Sequence, residues 1–294
     1  IIIIIIIAFG AIYGVKKYIE HINSNEYKLE KLGYTEDDIN IISKLEDKEI
    51  KEIIKQKYNK MYPKLIKQKY FIYNNLDRYL AYYKENKNDK LSHVISMVNV
   101  NADYDYYDEK IVKKTDTSKN ELMLVNKYNY LTNDYAPEDI VDVSVQFAYG
   151  DNEIKSEVYE KFRSMYNDAK KEGLYLIITS AYRDYNFQNE LWESYKKQQG
   201  KEWADSVAAR AGYSEHQTGL TLDIVTYNAN MNEFENTDEF KWLQNNAYKY
   251  GFILRYPKDK EDITGYSYES WHYRYVGVDA AKKIHKLGIT FDEY

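Results

Sequence analysis

The hydrophobic pattern changes period several times along this chain of 294 residues. Residues 1–15, IIIIIIIAFGAIYGV, form an apolar run without charge. At ~1.5 Å per residue such a helix reaches roughly 22 Å, short of a ~30 Å hydrocarbon core. There is no initiator Met, which gives the expectation that upstream residues complete a span. No small-x-small cleavage site closes the run. That favours an uncleaved signal-anchor over 1–17 against the apolar core of a signal peptide or a buried helix. From 18 to 92 the pattern turns helical, with Lys- and Glu-rich outer faces. Thr35-Glu-Asp-Asp38 ahead of Ile39, Ile42 and Leu45 predicts a helix start of capping-box type. Ile50, Ile53 and Ile54 continue a similar face, and the segment is expected to be a helical spacer or cap.

Short apolar runs then predict strands at His93–Asn99 and Leu122–Val125, and Tyr135-Ala-Pro137 breaks the chain. Ile154, Val158, Phe162, Met165 and Ala169 recur at helical spacing, with Gly173 as the stop. Leu174–Ser180 predicts a strand. A helix with Phe187, Leu191 and Tyr195 on one face comes next, then another near 201–211 ending at Gly212. A further helix starts at Asn236 or Thr237, turns Phe240, Leu243 and Ala247 inward, and stops at Gly251. Phe252–Tyr256 is a predicted strand closed by Pro257, His272–Val276 the last strand and Ala280–Lys286 the last helix. Strands and helices without regular βαβ units predict an α+β domain with a small, mainly antiparallel sheet flanked by helices.

Composition narrows the classes. Hydrophobic residues at 44% and charged residues at 30% place the chain among globular proteins. A net charge of −6 supplies no attraction for nucleic acid. The absence of Cys excludes disulfides and any thiolate metal site. The 34 Tyr accompany abundant Lys, Asn and Ile, a bias that fits an AT-rich genome better than a carbohydrate-binding surface.

The chemistry concentrates in Ser214-Glu-His216-Gln-Thr-Gly219-Leu-Thr-Leu-Asp223. Leu220, Leu222 and Ile224 alternate with Thr221 and Asp223, as in a half-buried strand. An unbroken strand would put His216 and Asp223 on opposite faces, because their separation is odd. A bend at Gln217-Thr218-Gly219 lets them converge. A charge in an apolar strand is costly unless paired or metal-bound. Of the five His, at 21, 93, 216, 272 and 285, His272 in Glu269-Ser-Trp271-His272 is the best third ligand. A Zn²⁺ ion held by His216, Asp223 and His272 would keep one position open for water. Glu269 is then placed to act as general base on that water.

Ser-x-His-x-x-Gly-x-x-x-Asp at 214–223, Glu-x-Trp-His at 269–272 and Ser180-Ala-Tyr-Arg183 with Gln188 together resemble a known family. They are similar to the motifs of the VanY-type zinc D-alanyl-D-alanine carboxypeptidases of peptidase family M15, whose zinc site is shared with lysostaphin- and hedgehog-type folds. The resemblance covers roughly 122–285. Asn75-Leu-Asp-Arg78-Tyr-Leu80 and Leu124-Val-Asn-Lys127 resemble segments ahead of the catalytic domain in Gram-positive members. Thr221 and Ala181 depart from the family's usual Ala and Gly, beside the ligands rather than at them.

Beside the anchor expected at 1–17 and the helical spacer or cap expected at 18–92, the resemblance implies a catalytic domain at 93–294. It implies a zinc carboxypeptidase that removes the terminal D-alanine from peptidoglycan stem peptides. Alternatives are a cross-bridge endopeptidase and an anchored wall-binding protein without turnover. Arg183 would pair a substrate carboxylate or steady the oxyanion, and Gln188 and Ser214 match substrate-contact positions. Tyr182 and Trp271 would form pocket wall. The expected location is the cell membrane, single-pass, with the catalytic domain outside; Lys16 and Lys17 alone argue for the opposite orientation.

Overall fold

The computed structural model describes the backbone of residues 2–294 and the side chains from residue 13 onward. The chain divides into two compact units, Ile1–Asn99 and Val100–Tyr294. The first unit is helical: α1 (Ile2–Asn23), α2 (Asn25–Leu32), α3 (Glu36–Ile42), α4 (Asp47–Ile54), α5 (Met61–Ile66), α6 (Leu76–Glu85) and α7 (Leu91–Asn99). Thr35 caps α3 through the predicted box: its hydroxyl accepts from the Asp38 N–H, and the Asp38 carboxylate accepts from the Thr35 N–H. Leu29, Ile42, Ile53, Leu65, Tyr79, Val94 and Val98 build the core of this unit.

Two expectations change here. Residues 93–99 are helix, not strand. Val94, Ile95 and Val98 lie on one buried side of α7, a spacing that a short apolar run does not distinguish from a strand. Because α7 packs into the helical core, the division falls at 99/100, beyond the expected boundary at 92. The expected anchor at 1–17 falls largely outside the described residues: residue 1 and the side chains of residues 2–12 are not among them. Among the described residues no helix is long and apolar enough to cross a membrane.

In the second unit, β1 (Lys113–Lys114) and β2 (Asn129–Tyr130) form a short parallel pair, and β3 (Ile140–Asp142) and β4 (Glu153–Lys155) an antiparallel one. Leu122–Val125 is not a strand. Its carbonyls go to side chains instead: Thr115 donates to the Leu124 carbonyl and Arg274 to that of Met123. The central sheet is β5 (Ile177–Ser180), β6 (Thr221–Val225), β7 (Phe252–Tyr256) and β8 (Glu269–Tyr275), in the order β5-β6-β8-β7 with every neighbouring pair antiparallel. The expected α+β architecture with a small antiparallel sheet is therefore present.

The helices of this unit are α8 (Ser156–Lys171), α9 (Tyr185–Gln199), α10 (Lys201–Val207), α11 (Asp238–Asn246), α12 (Glu261–Thr264) and α13 (Val278–Leu287). Val158, Phe162, Met165 and Ala169 of α8 are fully buried, as their spacing predicts, while Ile154 sits just upstream in β4. They share one core with Ile177, Leu222, Ile224 and Tyr273 of the sheet and with Phe240 and Leu243 of α11. Burying these side chains contributes about 1.5–3 kcal/mol each before entropy is counted. α9 buries Gln188 and Trp192, whereas Phe187 stays exposed.

Candidate metal centre and its cleft

The two ends of the 214–223 stretch meet because the chain bends where Gly219 allows it. Glu215–Thr218 form a 3-10 turn, capped by the Ser214 hydroxyl accepting from the His216 N–H. Gly219 leaves the turn in the left-handed region, with φ at +67°. β6 then carries Asp223 opposite His272 on β8, in direct antiparallel register. The first ligand thus comes from a turn and the other two from neighbouring strands.

His216 Nε2 lies 3.5 Å from Asp223 Oδ2, and His272 Nδ1 lies 3.4 Å from Asp223 Oδ1. One ligand atom from each of the three side chains falls within 4.8 Å of the others. Ligands about 2.0–2.1 Å from a tetrahedral ion stand roughly 3.3–3.4 Å apart, so this spacing fits zinc. His216 Nδ1 donates to the Ala181 carbonyl at 2.5 Å, which leaves the Nε2 lone pair free. His216 Nε2 and Asp223 Oδ1 are buried without a hydrogen-bond partner, as expected of atoms shaped to hold a cation.

Burial and neighbouring charges set the protonation of each group here. Burial, and then the Arg183 guanidinium, push His216 down to about 4, so it is a neutral donor near pH 7. Burial disfavours the Asp223 carboxylate, but His216 and His272 outweigh it and hold Asp223 well below the usual range. Burial also opposes a charge on His272, and the carboxylates of Asp223, Glu215 and Glu269 reverse that and hold it well above. Burial pushes the Glu269 carboxyl up, with His272 pulling partly against it. Glu269 Oε2 sits 3.2 Å from His272 Nδ1, on the metal side of that ring. A carboxylate with raised proton affinity in that position suits a general base.

The cleft beside the ligands is lined by Arg183, Gln188, Ser214, Tyr256, Glu269 and Trp271, among others. Phe187, Leu191 and Tyr195, the predicted face of α9, also line it. Tyr182 does not: the chain turns as it leaves β5, the Tyr182 N–H is tied to the Glu153 carbonyl, and Arg183 is the residue presented to the cleft. Arg183 Nε is buried with no hydrogen-bond partner. Gln188 donates to the Ala209 carbonyl and leaves its Oε1 unpartnered.

Several residues at the site are not among the candidate site residues. Tyr256 packs its ring 4.7 Å from that of His272. Glu215 is fully buried and bonded by Arg255, a charge inside the apolar strand Phe252–Tyr256. That is the same signal that marks Asp223, and it made Arg255 findable from sequence. Lys127 lies against the rings of Tyr106 and Tyr266 and donates to the Asp205 carbonyl, which fastens the Tyr266 wall of the cleft.

Two imidazoles and a carboxylate whose ligand atoms converge, with a buried glutamate beside them, make a candidate site for a single metal ion. A family model described as VanY: D-alanyl-D-alanine carboxypeptidase matches residues 151–278, which hold all of these groups. The putative carboxypeptidase YodJ of Bacillus subtilis is 44% identical over 183 residues, covering 60% of this chain and 67% of that protein. The solved LdcB LD-carboxypeptidase aligns with a TM-score of 0.60 at 41% identity, over 65% of this chain and 92% of that one. A vancomycin-resistance D,D-pentapeptidase VanY variant, solved in complex with Zn(II), aligns at 0.52 and 36% identity, over 59% of this chain and 98% of that one. The chain spans 61% to 67% of the length of the first three curated relatives it matches. The chain belongs to the VanY family of D-alanyl-D-alanine carboxypeptidases.

Proposed function

We propose that this protein is a zinc-dependent carboxypeptidase that removes the terminal D-alanine from peptidoglycan stem peptides during cell-wall remodelling. The observation that carries the reading is the convergence of His216, Asp223 and His272 at zinc spacing, with Glu269 beside them and Arg183 in the same cleft. When bound, zinc supplies Lewis acidity for the scissile carbonyl and lowers the pKa of water to about 7. Glu269 takes the proton from the attacking water and returns it to the leaving amine. Arg183 offers a planar fork that fits a free C-terminal carboxylate, or it steadies charge on the carbonyl oxygen. The buried walls exclude water from these contacts and strengthen them. Such a substrate lies outside the cytoplasmic membrane, and we place the second unit there.

The test uses defined penta- and tetrapeptide muropeptides, incubated with and without a chelator and followed by mass spectrometry. Release of D-alanine by wild type is expected, with loss on chelation and recovery on adding Zn²⁺. Glu269→Gln should keep one zinc per chain and lose about 10²–10⁴ in turnover. Wild type and Glu269→Gln that are equally inert on every substrate would sink the reading.

A further inference from the structure

A group of buried charges lies behind the metal centre and takes no part in the proposed reaction. Arg255 Nε donates to Glu215 Oε1 at 2.7 Å, and Arg274 Nη1 lies 3.1 Å from the same oxygen. Arg255 also grips Asp292 with both terminal nitrogens, at 2.5 and 3.1 Å. Asn126 donates to Asp292 Oδ1 at 2.8 Å. All four charged side chains are at most 1% exposed. Three atoms here remain without a hydrogen-bond partner, Arg274 Nη1, Glu215 Oε2 and His272 Nε2, and the last two face each other across 3.7 Å. Nδ1 of the same imidazole is the nitrogen turned toward Asp223 and Glu269. A ring that ligates through Nδ1 carries its proton on Nε2. A carboxylate accepting that proton fixes the tautomer and makes the ligating nitrogen a better donor.

We propose that Glu215 is a positioning residue for the ligand His272, and that Asp292 sets the strength of that contact through Arg255. The proposal rests on the zinc reading of His216, Asp223 and His272. The two carboxylates and two guanidiniums cancel. Without the Asp292 charge, one positive charge is left over, and Glu215 must answer both arginines alone. It is then drawn toward them and away from His272 Nε2. A net positive charge also stands behind a ring that has to hold a dication, in a place where little solvent screens it.

The measurement is the zinc affinity of the purified full chain, by competition with a chromogenic chelator, together with the absorption spectrum of the Co²⁺-loaded protein. Glu215→Gln is expected to weaken zinc binding by about 10–100-fold and Asp292→Asn by roughly tenfold, both with shifted Co²⁺ bands. Phe162→Leu, which loosens the core away from this network, should lower thermal stability and leave zinc affinity where it was. If Asp292→Asn does not fold, Asn126→Ala addresses the same link: a weaker hold on zinc supports the proposal and an unchanged one overturns it. Unchanged affinity and spectrum in Glu215→Gln and Asp292→Asn also overturn it. A wild type that binds no zinc would instead bring down the metal reading itself.

Discussion

In the proposed reaction, what Arg183 does depends on shape as much as on charge. Its guanidinium is buried, and Asp223 and Glu269 only partly offset the burial that lowers its pKa. Lysine would keep the charge and lose the flat, two-pronged donor. Arg183→Lys is therefore expected to raise KM for a substrate with a free carboxylate by about tenfold or more while zinc stoichiometry stays at one. Steady-state kinetics beside metal analysis checks it; an unchanged KM would assign Arg183 to the reaction centre alone or to neither role. Legibility at this scale depends on local contrast. Asp223 stands out because a charge sits among leucines. Arg255 shows the same contrast between Leu254 and Tyr256, but it belongs to no motif that would draw attention to it. Glu215 lies in a polar stretch and Asp292 in an ordinary acidic end, so nothing nearby in sequence tells that both are buried.

Among the elements, the bend before β6 is the joint on which the site depends. A Cβ at Gly219 would come within 2.9 Å of Ile140 Cδ1, 3.1 Å of Lys155 Cγ and 3.2 Å of Pro137 Cγ, in a left-handed conformation that already disfavours any side chain. Gly219→Ala should cost about 1–2 kcal/mol from the backbone alone, and more from the crowding. It should also weaken zinc binding, because the bend sets His216 against Asp223. Thermal unfolding and a zinc titration on the same variant separate the two effects; an unaltered midpoint would show that the bend tolerates a side chain. Element identities are legible where the period is long, as in α8, or where punctuation is sharp, as in β7 with Gly251 before it and Pro257 after it. The 91–99 helix and the 122–125 loop mislead because a short apolar run has no period of its own. Their conformation is decided by partners distant in sequence, the helical core in one case and Arg274 in the other.

For the whole molecule, the sheet, the main core and every candidate ligand lie within Val100–Tyr294. That segment, produced alone, should fold cooperatively and bind one zinc per chain. Far-UV circular dichroism, thermal unfolding and metal analysis test this, and an unfolded fragment would show that the helical unit is required. The order of the motifs makes the general architecture and the type of site readable in advance. The place where the helical unit ends is hard to read, because no Gly or Pro follows α7 and the turn there rests on Asn101 in the left-handed region.

Asp223 and His272 stand directly across from each other on adjoining strands, so hydrogen bonds that owe nothing to an ion hold them at their working distance. The socket is finished when the chain is folded. If the zinc reading holds, divalent ions should be withdrawn and exchanged without melting the protein, with the resident ion set by what the surroundings supply.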